Sequence, residues 1–292
     1  MSTLLEVEDL WIRYEGGYLL ARRAHEKVAV RGVSFAVAEG QTFGLVGESG
    51  SGKSSVGKAI LRLVQPSSGA IRFDGQDIVE FGRKTPLSYR GDVQVIFQDP
   101  WSSLNARAPI GRILAEPMRR HGRVAPGKER HRVVELLERV GLAPNHADRL
   151  PSQLSGGQRQ RVAIARALAV EPRLIVCDEP VSALDVSTQG QVINLLQDLQ
   201  EQLGLTYVFI AHDLGVVRHI SQQIGVMASG ELVETGLADD VYLRPQHSYT
   251  RALIDAEPLP DPDYQRERRR ARRTAAQNTA DAVPGTGSGP AR

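Results

Sequence analysis

The chain has 292 residues, 41% of them hydrophobic, enough for one large domain with a buried core and no covalent staples. A formal charge of +2 gives no overall field to suit nucleic acid, and the single cysteine, Cys177, excludes an internal disulfide and fits a reducing compartment. No apolar run approaches the roughly 18–20 residues that cross a bilayer, and the acidic start "MSTLLEVEDL" is unlike a secretion signal, so the chain is expected inside the cell and outside the lipid.

In chain order, "LLEVEDLWIRY" and "VAVRGVSFAVAEG" have the alternation of strands in an antiparallel layer, with Gly40 as a turn. "TFGLVG" is a short apolar strand running into a glycine loop, and "SSVGKAILRLV" then turns helical. "SGAIRFDGQDI" predicts a hairpin about Asp74 and Gly75, and "DVQVIFQD" a buried strand. From about 100 to 170 the pattern is mainly helical, with Val133, Val134, Leu136, Leu137 and Val140 on one side of a helix. "RLIVCDE" and "LTYVFIAH" are continuous apolar strands of the kind covered on both faces. The helix between them should bury Val192, Leu195, Leu196, Leu199 and Leu203, and this strand–helix–strand order implies a parallel sheet. "QIGVMASGELVETG" reads as a closing hairpin, followed by short helices at "LADDVYLR" and "SYTRALIDA". The first domain is expected to span 1–257; from 258 to 292 the Arg-, Pro- and Gly-rich composition predicts a disordered tail, whose run "RERRRARR" reads as a solvated charge cluster.

"GESGSGKS" fits a phosphate-binding loop and has the required strand before it and helix after it. Glu48, Ser49, Gly50 and Ser51 lie between the diagnostic Gly47 and Gly52, and Lys53, Ser54 and Ser55 open the helix. Glycines let successive N–H groups face a phosphate, a lysine reaches its oxygens, and a serine hydroxyl ligates Mg²⁺. Asp178 ends a buried strand, where a carboxylate holds Mg²⁺ beside such a loop. Glu179 follows at the mouth of the sheet and suits orientation of an attacking water. His212 ends the next strand and should lie beside the same mouth, close to a γ-phosphate.

"LSGGQRQR" is a second anion-binding turn. Ser155 can cap the helix behind it while Gly156 and Gly157 let backbone approach an anion. It has no lysine and no metal ligand, so it makes sense as a half-site closing over a nucleotide held elsewhere. Two chains packed head to tail would supply the other half.

With these motifs in this order, the chain resembles the nucleotide-binding subunit of an ATP-binding cassette transporter over about residues 4–255. The family's Walker A, signature, Walker B and Q-loop motifs are matched by "GESGSGKS", "LSGGQ" (including Gln158), "LIVCDE" and Gln98 in "VIFQDP". Its D-loop and switch histidine are matched by Asp185 in "SALD" and by His212. The resemblance implies an α/β fold: a phosphate-loop hydrolase core with a mixed, largely parallel sheet, an N-terminal antiparallel β layer and the inserted helical subdomain. It also implies a dimer sandwiching ATP and Mg²⁺, with Gln98 as a further Mg²⁺ and catalytic contact, and Tyr14 stacked on adenine with Tyr18 and His25 as rivals. Implied partners are transmembrane permease subunits, a second ATPase subunit and a separate solute-binding protein, with the chain peripheral on the cytoplasmic face of a bacterial membrane.

"FQDPWSSLN", "INLLQDLQ" and "HSYTRALIDAEPLPDP" are further similar to the ATPases of oligopeptide and dipeptide importers, a group that includes nickel importers. Ser248 stands where that group has proline, and with Cys177 alone the cluster-binding cysteines of some members are missing. A soluble cassette ATPase acting on nucleic acid or ribosomes is the alternative; such proteins carry tandem cassettes or long heptad insertions, and neither occurs here.

Overall fold

The computed structural model describes residues 2–14, 27–82, 84–99, 101 and 104–256; the rivals Tyr18 and His25 and the expected tail at 258–292 lie outside them. The chain divides into a compact unit, Met1–Leu253, and a second, Ile254–Arg292, of which only the last turn of a helix is described.

Two sheets form the first unit. Strands β1 (Thr3–Tyr14), β2 (Lys27–Ala38), β4 (Ser68–Phe73) and β5 (Gln76–Asp77) make an antiparallel layer in the order β2-β1-β4-β5. Its hairpin closes on Asp74 and Gly75, both at positive φ, as two-residue turns that match strand twist require. The second sheet has the order β10-β9-β3-β8-β7-β6. Here β3 is Thr42–Val46, β6 Val93–Ile96, β7 Leu174–Asp178, β8 Thr206–Ala211, β9 Gln223–Ala228 and β10 Glu231–Leu237. All neighbours are parallel except the closing β9–β10 hairpin. β3 and β8 are buried at every residue, the pattern of strands covered on both faces. Phe35 of β2 stacks on Phe43 of β3 with centroids 4.4 Å apart, so one apolar core runs between the layers.

Helix α1 (Lys53–Ile60) follows β3, and α2 (Leu87–Asp92) precedes β6. Helices α3 (Ile110–Arg120), α4 (Glu129–Arg139) and α5 (Gly156–Leu168) form the insertion. Val133, Leu136, Leu137 and Val140 are buried as predicted, while Val134 is half-buried at the edge of the stripe. Helix α6 (Val186–Leu203) corrects the sequence reading. Its buried stripe is Val192, Ile193, Leu196 and Leu199: it is centred so as to take in Ile193 rather than Leu195, and Leu203 in the last turn opens to solvent. Helices α7 (Leu214–Ile220), α8 (Ala238–Leu243) and α9 (Ser248–Ala256) complete the described chain.

The registers set Val46 level with Ala211, Asp178 with Ile210 and Ile96 with Cys177. Four parallel strands therefore end side by side, and the residues just beyond them share one edge of the sheet. In open α/β sheets that edge is where ligands bind.

Candidate functional site

The loop from Gly47 to Gly52 is wedged between β2 and the β9–β10 hairpin. A Cβ on Gly47 (φ 151°) would lie 2.1 Å from the Met227 carbonyl oxygen, and one on Gly52 (φ 108°) 2.4 Å from that of Ala29. Neither position admits a side chain, because backbone rather than a movable side chain fills the space. The Gly230 N–H donates to the Ser51 carbonyl at 3.0 Å and ties the loop to the hairpin. Gly52 caps α1 without a side chain, so no cap group competes with an anion for the N–H groups of Lys53 and Ser54, while the Ser55 N–H turns back to the Gly52 carbonyl at 3.0 Å.

Lys53 is 3% exposed, and its ammonium donates to the carbonyls of Gly47 (2.6 Å) and Glu48 (2.8 Å). Burial pulls its pKa below the usual lysine value, opposed by the charges of Glu179, Asp178 and Glu48. The lysine is thus held at the loop by carbonyls that phosphate oxygens can replace.

The Ser54 hydroxyl donates to the Asp178 carboxylate at 2.8 Å. These two hard oxygen ligands converge beside the loop and fit Mg²⁺, which takes one or two protein oxygens and fills its octahedron with water and substrate phosphate. Among the described residues no cluster of three His, Cys, Asp or Glu offers a closed cage instead. Glu179 has φ 50°, a left-handed backbone that costs a non-glycine residue about 1–2 kcal/mol. It is pinned there: its N–H donates to the Ile210 carbonyl of β8 (2.9 Å), and its own carbonyl accepts from the Ser182 hydroxyl (3.1 Å). The turn aims its side chain, 19% exposed, at His212, whose Nδ1 lies 3.8 Å away. Both residues line one small pocket with Ser182 and Gln189, and Glu179 also lines the pocket of the phosphate loop.

Tyr14 lines that second pocket with Ser49, Gly50 and Lys53, and its hydroxyl donates to the Ser55 hydroxyl at 3.1 Å. Gln98 is exposed two residues beyond β6, on the same edge but lining neither pocket. The signature segment forms a separate corner. Ser155 caps α5 by accepting the Gln158 N–H (3.2 Å), and the Gln158 side chain accepts the Ser155 N–H (3.0 Å), a reciprocal capping box. A Cβ on Gly157 would meet the Thr188 side chain of α6 at 2.6 Å, so this glycine serves helix packing. Asp185 caps α6, accepting the Thr188 N–H (2.9 Å) and hydroxyl (2.8 Å); hydrogen bonds from Ser187 and Thr188 hold its pKa down at about 2. The sequence reading missed Tyr249, whose hydroxyl accepts the Glu48 N–H at 3.0 Å across 201 residues of chain.

Residues 30–182 match the ABC transporter family. The chain is 52% identical over 242 residues to the oligopeptide transport ATP-binding protein OppF of Bacillus subtilis (strain 168), covering 82% of this chain and 79% of that protein. It is 48% identical over 271 residues to OppF of Escherichia coli (strain K12), covering 91% and 81%. The glutathione import ATP-binding protein GsiA of Escherichia coli O157:H7 is 52% identical over 91% of this chain, which spans 43% of GsiA. Among solved structures, cbiO1 of Clostridium perfringens, part of an ABC transporter complex, superposes with a TM-score of 0.73 at 28% identity over 84% of this chain and 92% of its own. The dimeric post-hydrolysis cassette MJ0796, bound to ADP and Pi, gives 0.71 at 29% identity over 80% and 99%.

Proposed function

Because the chain belongs to the ABC transporter family, we propose that it hydrolyses ATP to drive an importer of short peptides. The observation that carries this is the convergence of Lys53, the Ser54–Asp178 pair, Glu179 and His212 on one edge of the sheet. The substrate class follows these relatives: OppF is an oligopeptide transport ATP-binding protein and GsiA a glutathione import ATP-binding protein, and glutathione is itself a tripeptide.

In this reading the amides at the start of α1 and the Lys53 ammonium bind the phosphates, with Lys53 exchanging its two carbonyl acceptors for phosphate oxygens. Ser54 and Asp178 would hold Mg²⁺, which would supply charge neutralisation at the phosphates. Glu179 accepts a proton from the attacking water. His212, 3.8 Å from that carboxylate, steadies it and the γ-phosphate side of the pocket. Tyr14 stacks on the adenine. Gly156 N–H, Gly157 N–H and Ser155 close on the γ-phosphate of a second cassette, while Asp185 faces the shared interface. Gln98, exposed on the same edge two residues beyond β6, would add a side-chain oxygen to Mg²⁺ and the attacking water.

The cassette occupies residues 1–257 and works at the cytoplasmic face of a bacterial membrane against permease subunits, fed by a solute-binding protein. A groove between the core and the insertion suits the permease contact. Arg62, Arg90, Arg107, Arg112 and Arg120 line it, and Glu116 is the one acid among its described lining residues. Arg112→Glu with Arg120→Glu should abolish co-purification with the permease and peptide uptake while leaving MgATP binding intact. Normal uptake by that variant would refute the groove assignment, and a wild-type chain that neither binds nor hydrolyses ATP would refute the function.

A further inference from the structure

Tyr249 belongs to the last described helix, far in sequence from any nucleotide motif, yet its hydroxyl accepts the N–H of Glu48 in the phosphate loop at 3.0 Å. That N–H and the Gly47 carbonyl are two ends of one peptide unit, and the carbonyl accepts from Lys53 at 2.6 Å. Lys53 and Tyr249 therefore grip the same peptide plane from opposite sides. The plane follows Gly47, whose backbone offers little resistance of its own to rotation. The start of α9 is itself anchored to β10: Glu234 accepts the N–H groups of Gln246 (2.8 Å) and His247 (3.0 Å), and the Tyr249 N–H donates to His247 Nδ1 (3.2 Å).

We propose that Tyr249 is a positioning residue for nucleotide binding, holding the Gly47–Glu48 peptide in place when Lys53 leaves it for the phosphates. The proposal rests on the ATP-binding reading above. Without this hold the plane is free to turn at the moment its other partner departs, and the loop amides lose their aim. Tyr249 touches no reacting atom, so its contribution is the same in the ground and transition states and should appear in KM rather than kcat.

The test uses the full-length chain and MgATP, with calorimetric titration, steady-state hydrolysis and thermal melting of wild type and Tyr249→Phe. The variant keeps the ring and removes one neutral hydrogen bond. The dissociation constant should rise about 2- to 12-fold, KM should rise with it and kcat should stay put, while the nucleotide-free melting temperature, where Lys53 still holds the plane, should fall by no more than about 6 °C. An unchanged dissociation constant, or a fall in kcat at unchanged affinity, overturns the proposal. If Tyr249→Phe does not fold, Glu234→Ala decides in its place: it frees the start of α9 without touching the loop and should weaken MgATP in the same way. Failure of the wild type to bind MgATP would refute the ATP reading itself, an outcome distinct from equal binding by wild type and variant.

Discussion

Replacing Glu179 by Gln separates chemistry from folding at this site. The bonds that hold residue 179 are made by its backbone, to Ile210 and Ser182, and glutamine keeps both along with the same left-handed turn. The side chain is 19% exposed and the His212 ring beside it, 3.8 Å away, is itself exposed, so stability should move by no more than about 0.5 kcal/mol, or about 1–2 °C in melting temperature. Lys53 loses one of the three carboxylates that favour its charged form and keeps Asp178 and Glu48, so MgATP binding should persist. What is lost is the proton acceptor. General-base loss costs about 10²–10⁴ in rate, equivalent to about 2.7–5.4 kcal/mol of barrier. Phosphate release by the assembled transporter, measured beside MgATP titration and melting, should show this fall alone. Hydrolysis at the wild-type rate would refute the assignment of the base.

Lys53→Ala removes the buried ammonium proposed to bind phosphate and should weaken MgATP by about 10- to 150-fold by calorimetry. Gly156→Asp should leave MgATP binding at the same chain's phosphate loop intact but block closure over a partner's nucleotide. Complexes assembled with one Gly156→Asp cassette and one Lys53→Ala cassette retain one intact composite site and should hydrolyse ATP in a single turnover, whereas either lesion on both sides should not; no hydrolysis in verified mixed complexes would sink the shared-site reading. Asp185 has a folded pKa of about 2 against an ordinary 3.8, so its ionised form stabilises the fold above pH 3.8 and that stability is lost as pH falls toward 2. The urea midpoint of wild type should therefore exceed that of Asp185→Asn at pH 5, with the gap narrowing below pH 3.8; a constant gap would contradict the capping role.

The parts of this site that were legible in the sequence are those fixed by neighbours along the chain. The phosphate loop, the capping serine and the acids ending "LIVCDE" each carry their chemistry in a few adjacent residues, and the apolar runs before them fixed which sheet edge they would share. The contacts that escaped prediction cross the chain. Nothing in "HSYT" points to Glu48, and nothing in "LSGGQ" says that Gly157 packs against Thr188. The helix face of α6 was misjudged by one side-chain position because periodicity fixes a stripe's direction only as well as the partner surface it meets, and that surface is the sheet. Gln98 lies off the pockets for a related reason: it stands beyond the edge strand, where the core does not fix it.

The packing of Gly157 on Thr188 brings the starts of α5 and α6 together, and the two ends carry different charge. Both helices present the positive end of a backbone dipole. On α6 it is answered within the chain by the ionised carboxylate of Asp185. On α5 the cap is a neutral serine and the first turn holds no acid, so that end keeps its field. Of two neighbouring helix ends, one is electrically closed and the other left open, the asymmetry that the proposed closure over a partner's γ-phosphate calls for.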